Sequence, residues 1–346
     1  MDKTVGFALV GAGVIAPTHA RALREIPDAR LVAVVDKNPA AGEPFARQWG
    51  ADYHQDLDQA LARPDVQVVT ICTPSGTHGP LGQQAAGAGK HVLVEKPIEV
   101  SVERADELIT TCRQAGVLLS GVFQQRFLDG RKLAELVTSG QLGKPLYLTA
   151  SIKWYRTQEY YSHSEWHGTW AMDGGGVLIN QAIHTLDLLR WVGGEVESVQ
   201  GMVTTVGHDM EAEDLALATI KFASGAWGTV EASTALFPGL PERLEVHGTE
   251  GTAILAGGKL TLVHLRGQEP QQPAGAPGWS GAASPAVDDI TGHRRQLENM
   301  VGAVLGREPL VVPGESARDT LALVKAIYRS AQEQRPVRPA PSLAGR

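Results

Sequence analysis

The sequence predicts an α/β protein in which an N-terminal doubly wound parallel sheet is followed by an α/β domain with a large, mostly antiparallel open sheet. Three observations carry this expectation. An apolar run, Val5 to Val10, ends in the turn Gly11-Ala-Gly-Val-Ile-Ala16 and opens onto a helical pattern. Short apolar runs then alternate with helical ones as far as Phe123, as in a parallel sheet with helical crossovers. From Val196 to about Leu265, strand-like runs follow one another without a helix between them, the pattern of an antiparallel sheet. The expected division is residues 1–123 and 124–346.

Composition narrows the function classes. With 346 residues, 43% hydrophobic and 20% charged, the chain has the make-up of a globular protein long enough for two domains. A net charge of −7, a pI near 5.9 and the absence of any basic cluster give no reason to expect nucleic acid or a membrane surface as partner. Cys72 and Cys112 are too few for a disulfide framework or a metal motif, so no metal site is expected. The start runs straight into a strand without a leader pattern, and no apolar run has the length of a membrane span. The expected location is cytoplasmic.

Taken in order, the first strand and its turn set the chemistry. Gly11 permits the tight turn, Gly13 lets the backbone approach a pyrophosphate, and Ala16 is small enough for close helix and strand packing. The following helix, Thr18 to Ile26, would face phosphates with its N-terminus. A second strand, Leu31 to Val35, ends in Asp36, about 20 residues beyond the glycines, where a carboxylate bonds an adenosine ribose and repels a 2′-phosphate. That favours NAD over NADP, a preference blurred by Lys37 next to it. The alternative for Asp36 is to cap the turn Asn38-Pro39. A short strand near Ala51 to Tyr53, a helix from Leu57 to Ala62 and a buried strand from Val66 to Thr73 follow. The loop Thr73-Pro-Ser-Gly-Thr-His78 would lie beside the glycine turn, so Thr73 and Pro74 are placed to line a cofactor. His78 either touches it or is an exposed helix-start residue. After a helix from His78 to Ala88, the strand His91 to Val94 delivers Glu95 and Lys96 to a bend at Pro97. A helix capped by Ser101, Val102 to Ala115, and a strand from Val117 to Phe123 complete six strands.

The second half opens with a helix from Leu128 to Thr138 and a strand from Leu146 to Trp154. A polar aromatic loop follows, with Tyr155, Tyr160, Tyr161, His163, Trp166, His167 and Trp170. Rings with polar tips suit a carbohydrate face or a nicotinamide, or they cap the core between domains. Gly174-Gly-Gly176 opens a helix running to about Val192, on which Asn180, His184 and Leu188 share a face. Six strands are expected at Ser198–Met202, Leu215–Phe222, Ala226–Ser233, Glu242–Gly248, Thr252–Leu255 and Leu260–Leu265. A Gly/Pro-rich loop from Gln268 to Pro285, helices near Asp288–Leu305 and Ser316–Gln332, and a frayed tail from Pro336 end the chain.

With these pieces named, the chain resembles the Gfo/Idh/MocA oxidoreductases, the group of glucose–fructose oxidoreductase and inositol dehydrogenase. The resemblance covers nearly the full length and rests on Gly11-Ala-Gly-Val-Ile-Ala16, Thr73-Pro-Ser-Gly-Thr-His78, Glu95-Lys96-Pro97 and the run from Asp173 to Asp187. It implies a Rossmann domain for NAD, with Gly11, Gly13, Val14, Ile15, Asp36, Lys37, Thr73, Pro74, His78, Glu95, Lys96 and Gln124 at the cofactor. It implies that Lys96 hydrogen-bonds the reacting oxygen and that His184 is general base for a substrate hydroxyl. Tyr155, Trp166, His167, Asn180 and His184 would meet a sugar or sugar derivative, and the second sheet would build a homodimer or homotetramer. One departure stands out. Many members carry aspartate where this chain has Asn180, and an amide cannot accept a proton.

Three activities fit this reading. The first is NAD-dependent oxidation of a secondary hydroxyl of a sugar, polyol or sugar derivative to a ketone. The second is a glycosidase of the same family type, using NAD for transient oxidation and elimination. The third is a dinucleotide-binding regulator without catalysis, against which the presence of both Lys96 and His184 argues.

Overall fold

The computed structural model describes residues 4–273 and 289–343. They fall into two compact units, residues 4–124 with 289–318, and residues 125–273 with 319–342. The Gly/Pro-rich loop expected from Gln268 to Pro285 lies outside the described residues from position 274 on.

In the first unit, β1 (Val5–Val10), β2 (Ala29–Val35), β3 (Asp52–His54), β4 (Val68–Ile71), β5 (His91–Val94) and β6 (Leu119–Gly121) form a parallel sheet in the order β3-β2-β1-β4-β5-β6. β1 and β4 are buried along their whole length, as expected of strands covered on both faces. The order reverses between β1 and β4, so the turns that leave these two strands stand side by side at the carboxyl edge. Helices α1 (Ala16–Arg24), α2 (Pro39–Trp49), α3 (Leu57–Leu61), α4 (His78–Gly87) and α5 (Val102–Gln114) make the crossovers. Ser101 caps α5 as anticipated, its hydroxyl accepting from the Arg104 N–H at 3.3 Å. Helix α2 is a difference from the sequence reading, which saw only a turn at Asn38-Pro39. Asn38 is its N-cap, accepting from the Ala40 N–H, and Pro39 occupies the first helical turn, where a missing N–H costs nothing.

The second unit begins with α6 (Asp129–Thr138), β7 (Pro145–Lys153), α7 (Gln158–Ser162), α8 (Val177–Asn180) and α9 (Ile183–Gly193). It continues with β8 (Val196–Thr204), β9 (Leu215–Phe222), β10 (Trp227–Ser233), β11 (Arg243–Gly248), β12 (Gly251–Ala256) and β13 (Lys259–Leu265). The seven-stranded sheet runs β13-β12-β11-β7-β10-β9-β8, and its β7 and β10 pair is parallel while the others are antiparallel. Strand alternation turns Leu148, Ala150, Ile152, Ala216, Ala218 and Ile220 into the core, with α9 packed on β7 and β11 and α6 on β12 and β13. The opposite alternation leaves Tyr147, Met202, Leu217 and Trp227 exposed. The helix expected without interruption from Gly174 to Val192 is broken at Gln181 and Ala182, so Asn180 ends α8 and His184 lies in the first turn of α9. Asn180, His184 and Leu188 therefore do not form one continuous helical face.

The C-terminal segment departs from a continuous second domain. Helix α10 (Thr291–Val304) packs against α1, and its Leu297, Met300 and Val301 share a core with Phe7, Leu23, Ile26, Val68 and Leu93 of the first unit. The apolar face of α10 is what the sheet of the first unit needs to close that side. Helix α11 (Gly314–Glu333) follows. The chain beyond it is not frayed from Pro336: Val337 is buried and exchanges two backbone hydrogen bonds with Val199, at 2.8 and 2.9 Å.

Candidate active site

The glycine turn closes against the end of β4. Gly11 has φ +94°, and a Cβ there would meet Thr73 Cγ2 at 2.8 Å and the Cys72 carbonyl at 3.0 Å, so only glycine lets the two turns come together. Nothing lies within 4 Å of a Cβ built on Gly13, and Val14 beside it is 76% exposed, which leaves open space at the N-terminus of α1 for a phosphate group. Asp36, at the end of β2, accepts from the Ala12 N–H at 2.7 Å and from the Asn38 N–H at 2.8 Å. The contact with Asn38 matches the reading of Asp36 as a cap of the following turn, while the bond from Ala12 braces the glycine turn, a role the sequence did not suggest. Lys37 is exposed beside it. The donor set fits a dinucleotide, with a small-residue turn, a helix N-terminus and an acid at the end of the second strand.

Thr73 and Pro74 are half-buried, and the Thr73 hydroxyl bonds that of Thr77 at 2.7 Å. His78 is buried, with its Nδ1 2.7 Å from the Pro97 carbonyl and its Nε2 2.9 Å from the Thr73 carbonyl. It ties the turn after β4 to the turn after β5, and burial lowers its basicity. Gln124, half-buried, follows the last strand of the sheet and lies against Gly292.

Glu95 and Lys96 leave β5 as expected, with Lys96 half-buried and Glu95 turned inward. The Glu95 carboxylate meets His19 Nε2 at 2.8 Å, His19 Nδ1 meets the Thr70 hydroxyl at 3.1 Å, and His293 Nε2 lies 3.9 Å from the same carboxylate. Glu95 also accepts from the Lys96 N–H at 3.2 Å. Burial opposes charge on His19, yet the neighbouring Cys72 and Glu95 raise it to about 10. Burial would likewise raise Glu95, but the His19 contact holds it down at about 2. His293 is lowered to about 4, first by burial.

The signs of these shifts give a stability profile. Glu95 stabilises above its ordinary 4.5 and loses that as pH falls toward 2. His293 contributes fully above 6.5 and loses its share as pH falls to about 4. His19, raised, contributes fully below 6.5 and loses its share as pH climbs to about 10. The trio therefore favours the folded state most near pH 6.5. We expect the denaturant midpoint to peak there and Glu95→Gln to flatten the alkaline decline; an unaltered alkaline limb in that variant would count against the ion pair.

In the second unit, Asp173 and Asn180 come together. Asn180 Nδ2 donates to Asp173 Oδ1 at 3.0 Å and Oδ2 at 2.8 Å, and the Gly168 N–H donates to Oδ2 at 2.9 Å. Asp173 is buried, whereas Asn180 and His184 are half-buried. A Cβ on Gly176 would meet the Glu213 carbonyl at 1.8 Å, so what the glycines admit is the strand entry at Glu213. The Glu213 carboxylate accepts from the Gly176 and Leu178 N–H groups and from the Tyr328 hydroxyl, holding the start of α8; burial pushes it up to about 7.

His167 stacks on Tyr160 with centroids 4.5 Å apart and 10° between planes, and Trp166 lies 4.0 Å from His167. Gln181 reaches the Tyr160 hydroxyl at 3.4 Å, which joins this aromatic group to the end of α8. Tyr155 is elsewhere. It bridges to Ala235 and sets its ring edge-on to Phe237 at 5.4 Å. Asp187, the last residue of the run that begins at Asp173, is committed to Arg126, which it binds through both oxygens at 2.5 and 2.6 Å. His19, His293, Asp173 and Glu213 are the residues that sequence reasoning did not assign. A histidine eight positions after Gly11, on the apolar face of its helix, was the one local signal among them.

Comparison with known proteins agrees with this architecture. Residues 5–123 match the family model described as an oxidoreductase family with an NAD-binding Rossmann fold, and residues 131–254 match the GFO/IDH/MocA C-terminal domain. The scyllo-inositol 2-dehydrogenase (NAD(+)) of Bacillus subtilis is 32% identical over 74% of this chain and 75% of its own. The 2,7-anhydro-N-acetylneuraminate hydratase of Mediterraneibacter gnavus is 32% identical over 72% of this chain and 66% of its own. The structure of the WlbA dehydrogenase from Bordetella pertussis, in complex with NADH and UDP-GlcNAcA, superposes with a TM-score of 0.87 at 30% identity, covering 99% of each chain.

Proposed function

The chain belongs to the Gfo/Idh/MocA family of NAD-binding oxidoreductases, and on that premise we propose that it oxidises one secondary hydroxyl of a sugar, polyol or sugar derivative, nucleotide-linked sugars included, to a ketone. The observation that carries the reading is Lys96 at the carboxyl end of β5, on the same sheet edge as the Gly11 and Thr73 turns. NAD, when bound, supplies the hydride acceptor. Gly11, Gly13, Val14 and Ile15 would hold its pyrophosphate, Asp36 its ribose, and Thr73 and Pro74 the facing wall, with Lys37, His78, Glu95 and Gln124 around them. The Lys96 ammonium donates to the reacting oxygen and stabilises the negative charge that develops as its proton departs. The imidazole of His184 takes that proton, a task suited to a ring nitrogen that can act as acceptor. Asn180 orients a hydroxyl, and Trp166 and His167 offer ring faces to the sugar. Tyr155 would offer substrate its ring beside Phe237.

The reading is tested by absorbance at the NADH band with panels of sugars, sugar acids and nucleotide sugars. NADH formation with one of them supports it. A second reading, transient oxidation without net NADH, is favoured by the likeness to a protein named a hydratase. Chromogenic glycosides turned over without NADH would replace the first reading with it.

We also propose that the open face of the second sheet, with Tyr147, Leu217 and Trp227, pairs copies of this chain into a dimer or tetramer. Leu217→Lys with Trp227→Lys should reduce the mass seen in sedimentation to that of one chain. A single-chain mass for the unaltered protein would overturn the proposal.

A further inference from the structure

We infer that Asp173 is a positioning residue that fixes the Asn180 amide with its nitrogen turned inward, so that Asn180 meets the substrate as a hydrogen-bond acceptor. The inference rests on the proposed function in taking Asn180 as a substrate contact. An amide carries a donor edge and an acceptor edge, and which one faces a ligand follows from what holds the other. Here the holder is a carboxylate, which only accepts. Both Asp173 oxygens lie within 3.0 Å of Asn180 Nδ2, and the Gly168 N–H fixes one of them from behind. Rotating the amide by half a turn would set its oxygen against the carboxylate of Asp173, which is itself 1% exposed, so the two acceptors would repel with little screening. The nitrogen therefore faces Asp173, and the carbonyl oxygen is turned to the other side, where a substrate donor can meet it.

Two consequences follow for the ligand. The substrate presents a donor to the Asn180 oxygen, a hydroxyl or an N–H. The departure from aspartate also acquires a reason in this chain. With Asp173 in place, a carboxylate at position 180 would put two acids within about 3 Å, and one of them would have to hold a proton. Asn180 keeps a single negative charge in the pair.

The test compares Asp173→Asn, Asn180→Asp and the double exchange Asp173→Asn/Asn180→Asp in the NAD-loaded enzyme, using the best substrate of the panel across pH. Asp173→Asn should raise KM about tenfold, because the amide is no longer oriented. Asn180→Asp should add an ionisation to the kcat/KM profile. The exchange restores a donor and a carboxylate in reversed places, so it should remove that ionisation and return KM to within about threefold of the starting value. An Asp173→Asn enzyme with lowered thermal stability but unchanged KM would show a structural role only and overturn the inference. Thermal unfolding reads the pairing without any substrate: the exchange should recover the losses of the single variants, and additive losses would overturn it. Absence of NADH formation in the unaltered enzyme would instead count against the proposed function.

Discussion

Lys96→Ala is expected to lower kcat at least a hundredfold, roughly the effect of removing one charged donor from a developing oxyanion, while NAD affinity stays within about threefold. The asymmetry follows from where the lysine stands. The phosphate and ribose contacts expected for NAD come from the glycine turn, the N-terminus of α1 and Asp36, none of which depends on the ammonium. Its backbone is held independently, by β5 and by the Glu95 carboxylate that accepts the Lys96 N–H. Truncation therefore removes the charge without loosening the turn. Stopped-flow NADH formation and fluorescence titration with NADH separate the two effects. Retained turnover would remove the proposed role, and loss of both turnover and NADH binding would mean that the variant had disturbed the cofactor turn.

The largest effect on stability is expected at Asp187→Ala. Arg126 is 2% exposed and is bound by both Asp187 oxygens, one of which also accepts from the Thr320 hydroxyl at 2.8 Å. The guanidinium lies 5.0 Å from the centre of the Trp191 ring. Removing the carboxylate leaves a cation in a dry place, at a cost of about 3–5 kcal/mol. Replacing both partners, Arg126→Met with Asp187→Leu, removes the charge together with its counter-charge and should regain most of the loss. Urea unfolding followed by tryptophan fluorescence gives the comparison. Equal losses in the single and double variants would show that packing, and not an unpaired charge, sets the cost.

Much of this was legible in the chain because local pattern and local role coincide in the first unit. Gly11 and the run to Val10 announce a tight turn after the first strand, and the structure places it there; that Asp36 also accepts from Ala12 in this turn had no local signal. β5 was read at its full length because the apolar run His91 to Val94 is bounded by Gly89 and Pro97. Helix α2 was missed because Asn38-Pro39 also fits a turn, and only the later turns of α2 distinguish the two. The membership of α10 could not be read locally: its apolar face looks the same whichever sheet it covers. The break at Gln181 hides inside a periodic apolar run, so Asn180 and His184 were assigned to one face that does not exist as such.

The candidate site divides in the same way. Lys96 and His184 announce themselves by type and motif. The partners that hold neighbouring residues do not, since His19 lies 76 positions before Glu95 and Asp173 entered only as the first residue of a motif, with no role assigned to it. Such long-range and loop contacts leave no periodic signal, and they decide what the visible residues can do.

Net oxidation of a sugar-type hydroxyl with NAD as acceptor is decided by stoichiometry. With the best substrate of the panel, NADH absorbance and the mass of the product are recorded in one reaction. Net oxidation gives one NADH for each substrate consumed and a product lighter by two hydrogens. Substrate consumption with no NADH, and a product differing by the elements of water or by a cleaved glycosidic bond, would contradict it.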